Sequence, residues 1–244
     1  MAAALARGWA AGEGGPEAML FCDLDVQRAG ALAREVGGET RPALGALAAE
    51  CDAVVLAVKP AALDEAAGEL GDARAVISVL AATPLARLQE ALGEVPVLRL
   101  MPNQPVEVRR GVVCYAAPAG LPGGLGQRLL ELLRPLGRLV ELEEGQMEAA
   151  MAVMSCSPAY LALVAEALAR SGEREGLDAQ LVAELVAEAL AGTAELLGKR
   201  DPAAIKRAVA PPGGATEAGL AALERGRVVE AFTAAVDASL ERFR

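Results

Sequence analysis

The segment Pro211-Pro212-Gly213-Gly214-Ala215-Thr216 holds the residue types most able to grip a small anion. Two adjacent glycines leave backbone N–H groups uncovered, and Thr216 adds a hydroxyl beside them. A helix-forming run follows, so the first amides of that helix point the same way. The competing reading is a tight interhelical turn capped by Thr216. Ala57-Val58-Lys59-Pro60 ends a buried apolar run, where ligands bind in open α/β sheets. Lys59 there could meet a phosphate or carboxylate, or could be a surface lysine at an ordinary helix start. Asp23 ends an earlier run and suits either a ribose hydroxyl or a helix cap; Arg28 nearby keeps a phosphorylated ribose open. Met101-Pro102-Asn103-Gln104-Pro105 is a rigid turn in which Asn103 can both donate and accept. Ser155-Cys156-Ser157-Pro158-Ala159-Tyr160 is a small-residue loop that permits close backbone approach, or simply a helix cap. Glu143-Glu144 closes a strand, either as solvated acids or as a carboxylate facing a substrate ammonium or iminium.

The composition removes several chemistries. The 244 residues contain no histidine, which excludes histidine triads and the usual general base near neutral pH. Cys22, Cys51, Cys114 and Cys156 form no C-x-x-C pair, so no metal site and no disulfide framework is expected. Reduced thiols suit the cytoplasm. A formal net charge of −10 disfavours nucleic acid. No run of about 18 uncharged apolar residues is present, so no membrane span is expected. Hydrophobic residues make up 54% and aromatics only 2%, so the core must be built from Ala, Leu and Val.

Two kinds of element must position these groups. Residues 1–10 read as a helix, then 18–22 as a strand and 26–36 as a helix closed by Gly37-Gly38. Residues 53–58, 75–80 and 95–100 are continuous apolar runs, as in strands buried on both faces of a parallel sheet. A helix follows Pro60 and another opens at Pro84. Residues 112–116, a helix over 125–133, and 139–142 complete the front half, an alternation that implies βαβ units. From Gln146 the pattern turns wholly helical, over 146–154, 158–170, 178–198, 201–209, 215–224 and 227–243. The boundary is placed near 143. The stretch 179–197 is apolar around much of its circumference and is expected to be buried, against a second copy of the chain. The chain opens on a helix, where a dinucleotide-binding domain opens on a strand and a glycine-rich turn.

Taken together the motifs resemble pyrroline-5-carboxylate reductase. The family's L-A-V-K-P stands here as Leu56 to Pro60, and its M-P-N-T-P as Met101 to Pro105 with Gln104 for Thr. Its G-S-G-P-A-Y stands as Ser155 to Tyr160 with serines for glycines, and its S-P-G-G-[TA]-T as Pro211 to Thr216. Order and spacing agree from residue 1 to about 240. Departures cluster on the cofactor side: Leu44 replaces an asparagine, Ala81-Ala82 replaces an A-G pair, and the glycine fingerprint would precede Met1. The expectation is a start that is not the native one, or an impaired copy.

The resemblance implies reduction of 1-pyrroline-5-carboxylate to L-proline with NADP(H) or NAD(H). It implies an incomplete dinucleotide-binding domain over 1–143, missing its first strand, and a helical substrate and dimerisation domain over 144–244. Ala57, Val58, Lys59, Pro60, Ala81 and Asn103 would lie along the cofactor. Gly213, Gly214, Ala215 and Thr216 would hold the substrate carboxylate, Thr216 beside the reacting atoms, with Glu144 on the substrate side. The helical domain would form a homodimer in which each active site joins one subunit's sheet to its partner's glycine loop. Imine reduction fits a chain without histidine, because solvent can protonate the imine and the protein need only orient and stabilise. The alternatives are a related imine or keto-acid reductase, and a non-catalytic helical dimer that has lost cofactor binding.

Overall fold

The computed structural model describes residues 1–116, 121 and 124–243. The chain divides into two compact units, Met1–Cys156 with Leu240–Arg244, and Ser157–Ser239.

The first unit opens with helix α1 (Ala2–Ala10), strand β1 (Leu20–Phe21) and helix α2 (Val26–Val36). Asp25 caps α2 by accepting from the Arg28 amide at 3.1 Å, and Gly37 ends it at φ 75°. Then come β2 (Glu39–Thr40), α3 (Leu44–Glu50), β3 (Val54–Leu56), α4 (Leu63–Gly68), β4 (Val76–Ser78), α5 (Leu85–Leu92), β5 (Val97–Pro102), β6 (Gly111–Ala116), α6 (Leu125–Leu133) and β7 (Gly137–Leu142). A short helix α7 (Met147–Ala150) runs into a π-helical turn, Met151–Ser155. The sequence reading missed β2 and α3, which are short and, in β2, exposed.

β3 to β7 form one sheet in that order, with Val54 opposite Val76 and Val76 opposite Val97. The expected all-parallel sheet is corrected at one place: β5 and β6 are antiparallel, with Arg99 opposite Ala116. The connection Asn103–Arg110 is too short for a parallel crossover, which needs a dozen or more residues. Close packing holds α1 on the sheet. A Cβ on Gly8 would stand 2.2 Å from the Val106 carbonyl oxygen, and Trp9 Nε1 donates to the Leu132 carbonyl at 2.8 Å.

β1 and β2 pair with each other in parallel and stand apart from the five-stranded sheet. Met19 and Phe21 carbonyls accept from Glu39 and Arg41, so Leu20 turns its amide and carbonyl to the other edge. In β3, Val54 and Leu56 bond towards β4, which leaves Val55 on the opposite edge. Leu20 and Cys22 pack on the same cluster as Val54 and Leu56, while Met19 packs with Ala53 and Val55. β1 and β3 therefore carry matching faces and two open edges.

The compact division falls between Cys156 and Ser157. Met147 and Met151 are the reason: both are buried in a cluster with Met101, Cys114 and Ala116. The start of the helical region thus packs on the sheet.

The second unit contains α8 (Ser157–Arg174), α9 (Ala179–Leu197), α10 (Pro202–Val209), α11 (Ala215–Arg225) and most of α12 (Val228–Phe243). α8 and α9 fold as a hairpin over Gly172, where a Cβ would stand 2.4 Å from Val182 Cγ2. Asp178 and Asp201 cap α9 and α10. The Tyr160 hydroxyl lies 2.8 Å from Ser239 Oγ, and its ring meets Phe232 edge-on. Among the described residues of this unit only Val182 is buried. Leu161, Leu163, Leu168, Leu181, Leu185 and Phe232 are exposed.

Candidate functional site

In the first unit the carboxyl ends of β3 and β4 lie side by side, Leu56 opposite Ser78. Just beyond them Ala57, Lys59 and Pro60 are exposed and Val58 is half-buried. Pro60 opens a 3-10 turn over Pro60–Ala62, with Lys59 at its cap. Ala81 is exposed beyond β4, in the turn that leads to α5. The Thr83 hydroxyl closes that turn onto the Ala81 carbonyl at 3.0 Å, and Ala82 sits at φ 50°. That left-handed position is where the family resemblance calls for glycine, so the alanine there is strained.

Asp23 accepts from the Asp25 amide at 2.9 Å and from Arg28 at 3.3 Å. It is a turn acid tied to the start of α2. Asn103 is buried, and both ends of its amide are used. Its Oδ1 accepts from the Val112 amide at 2.9 Å, and its Nδ2 donates to the Met154 carbonyl at 3.2 Å. Asn103 thereby ties β5 to β6 and to the π-helical turn. Ser155 Oγ, donating to the Pro102 carbonyl at 3.4 Å, reinforces the tie.

Glu144 is likewise held by partners within the first unit. Its Oε1 accepts from the Leu85 amide at 2.8 Å and is ion-paired to Arg99 Nη1. Arg99, wholly buried in β5, also reaches Glu148 Oε1 at 2.9 Å. Sequence reasoning missed Arg99. The signal was a lone cation inside the apolar run Val97-Leu98-Arg99-Leu100-Met101, which must find carboxylates because a buried charge cannot stand alone.

In the second unit the diglycine has a conformational explanation. Gly213 adopts φ 76°, and a Cβ on Gly214 would stand 2.9 Å from the Pro211 carbonyl oxygen. Their amides are already engaged. Gly213 N–H donates to Glu217 Oε2 at 2.7 Å, and Gly214 N–H to the Pro211 carbonyl at 3.0 Å. An anion at these two amides would displace the Glu217 carboxylate and the Pro211 carbonyl. Gly214 caps α11 without a side-chain bond, which leaves the opening amides at Ala215 and Thr216 beside the exposed Thr216 hydroxyl. A groove of about 780 Å³ runs along this loop, lined among others by Lys206, Arg207 and Glu217.

Burial raises the Cys114 thiol above its ordinary range. Cys51 and Cys22 rise for the same reason, helped by neighbouring carboxylates. None of these three is a poised nucleophile. No metal-holding cluster of acids and cysteines occurs among the described residues.

A family model described as pyrroline-5-carboxylate reductase dimerisation matches residues 144–244. A second, described as NADP oxidoreductase, coenzyme F420-dependent, matches residues 1–82. The pyrroline-5-carboxylate reductase of Synechocystis sp. is 37% identical over 78% of this chain and 74% of its own length. The chain is a member of the pyrroline-5-carboxylate reductase family. The reductase structure from Streptococcus pyogenes superposes at a TM-score of 0.90, with 26% identity, covering 100% of this chain and 94% of that one. The Plasmodium falciparum reductase solved with NADP bound superposes at 0.87, with 25% identity, over 98% and 92% of the two chains. The Rossmann-like α/β unit followed by a helical dimerisation region is the architecture of this family.

Proposed function

We propose that this chain reduces 1-pyrroline-5-carboxylate to L-proline with NADPH or NADH, as a cytoplasmic homodimer assembled through its helical region. The observation that carries the reading is family membership across both halves, with a superposition that spans the whole chain. The residues present fit the nicotinamide end of such a cofactor. Ala57 and Ala81 stand exposed beyond neighbouring parallel strands with nothing larger than a methyl, and Lys59 offers a cation beside them. The nicotinamide, when bound, supplies the hydride.

The protein's own part is orientation. The Ala215 and Thr216 amides, with the Thr216 hydroxyl, would receive the substrate carboxylate at the start of α11. Lys206 and Arg207 add positive potential along the same groove. No side chain need serve as a base near neutral pH, in keeping with the absence of histidine. The helical stretch Glu144–Arg174 is long and apolar enough to cross a membrane by length and composition. It falls within the matched dimerisation region, so its exposed Leu161, Leu163 and Leu168 are read as facing a second copy.

The test is spectrophotometric: NADPH oxidation that depends on 1-pyrroline-5-carboxylate, with proline formed in equal amount. No turnover with either nicotinamide cofactor overturns the reading. The separation of β1–β2 from the larger sheet favours a second reading, a helical dimer without nicotinamide binding. Calorimetry on a folded dimer separates the two.

A further inference from the structure

We propose that Arg99 is a positioning residue for the nicotinamide end of the site, acting through Glu144 on the turn between β4 and α5. The inference rests on the reading above for its catalytic readout, but its structural part stands alone.

Arg99 lies in β5 between Ser78 of β4 and Ala116 of β6, and its side chain is wholly buried. A guanidinium there is retained only if carboxylates reach it. Glu144 and Glu148 do so, one on each Nη. Two buried atoms nevertheless find no partner among the described residues, Arg99 Nε and Glu144 Oε2. The arrangement fixes the place of Glu144 Oε1, held between a cation and a backbone amide.

That amide belongs to Leu85, the first residue of α5. Helix starts leave amides without intrahelical partners, and the preceding Pro84 offers no side-chain cap. The cap arrives instead from far along the chain. It fastens the distal end of the turn whose near end is β4 and whose crest carries Ala81 and the strained Ala82. Asn103 and Ser155 tie the following turn of the same 144–155 segment to the end of β5. The clamp thus sets the height and tilt of the surface on which a nicotinamide would lie. Catalysis by orientation is sensitive to displacements of that kind.

The test uses the full chain and three variants. Glu144→Ala removes the Leu85 cap yet leaves Arg99 paired with Glu148, so the charges still balance. Arg99→Met removes the cation, and Arg99→Lys keeps the charge without the fork. The first readout is amide hydrogen exchange at Leu80–Leu85 without any ligand, against exchange in α1 as an internal reference. Glu144→Ala and Arg99→Met are expected to speed exchange at Leu85 at least tenfold and to leave α1 unchanged, with Arg99→Lys between. The second is kinetic: kcat per folded molecule falls at least tenfold while KM for the imine moves less than threefold. Unchanged exchange at Leu85 in Glu144→Ala overturns the clamp. Faster exchange with an unaltered kcat overturns its positioning role. If the unaltered chain fails to oxidise NADPH, the functional reading falls, and NADPH affinity by fluorescence replaces kcat. A weakening below twofold in Glu144→Ala then overturns the proposal.

Discussion

Replacing Ala82 by glycine relieves a strain that the chain now carries at its proposed cofactor surface. Ala82 sits at φ 50° in an exposed turn, where its methyl is packed against no core cluster. A left-handed position costs an L-residue about 1–2 kcal/mol. Glycine gives back about 0.4–1 kcal/mol through the greater freedom of its unfolded chain. The net expectation for Ala82→Gly is a gain of roughly 0.5–1 kcal/mol, or a rise of about 1–4 °C in the melting temperature of a chain this long. Two compact units need not unfold together, so the probe must report on the first alone. Trp9 does this: it is the sole tryptophan, buried and bonded to the Leu132 carbonyl. Urea unfolding followed by Trp9 fluorescence should show a higher midpoint with an unchanged slope. A lower midpoint would refute the argument, because it would mean that the methyl contributes more than the backbone strain removes.

Other perturbations test other parts of the structure. Gly8→Ala places a Cβ 2.2 Å from a backbone oxygen and is expected to destabilise the first unit by about 3 kcal/mol, read by the same fluorescence. In hydrogen exchange, the Leu20 and Val55 amides on the open edges should exchange far faster than those of Phe21 and Leu56, which face their paired strands; equal protection would show that the edges are covered. Glu217→Gln removes a negative charge from the groove beside the opening amides of α11, and KM for the imine should fall about threefold with kcat unchanged; a rise in KM would refute this. Arg7 and Arg41 hold Glu35 and Glu50 below the ordinary carboxylate range, mainly by hydrogen bonding. The folded-state values are depressed, so this stabilisation is complete above that range and is lost as pH falls through it. Arg41→Ala should therefore flatten the acid limb of a stability–pH profile while leaving its slope between pH 6 and 8 unaltered.

The helices were legible where the chain punctuates them. Asp25 and Gly37 bound α2, Asp178 opens α9, and Pro202 stands at the first turn of α10. The buried strands β3, β4 and β5 were legible as apolar runs. The direction of β6 was not, although the short connection Asn103–Arg110 already forbade a crossover. The site was legible in motif and less so in role. Asn103, Glu144 and Gly213 look like ligand contacts because polar or conformationally free residues at strand and helix ends often are. Each also satisfies a backbone or side-chain partner distant in sequence or fixed by local turn geometry, and pattern reading cannot see such partners. Arg99 shows the converse: its oddity was visible, but its partners lie beyond the strand that carries it.

One consequence follows from the helical unit, in which Val182 alone is sheltered among the described residues while a row of leucines faces outward. Such a unit has almost no interior until a second polypeptide supplies one. Its maturation is then a bimolecular event, second order in protein, and dilution alone should melt it. The cell's output of this chain would govern how much of it is folded as well as how much is made.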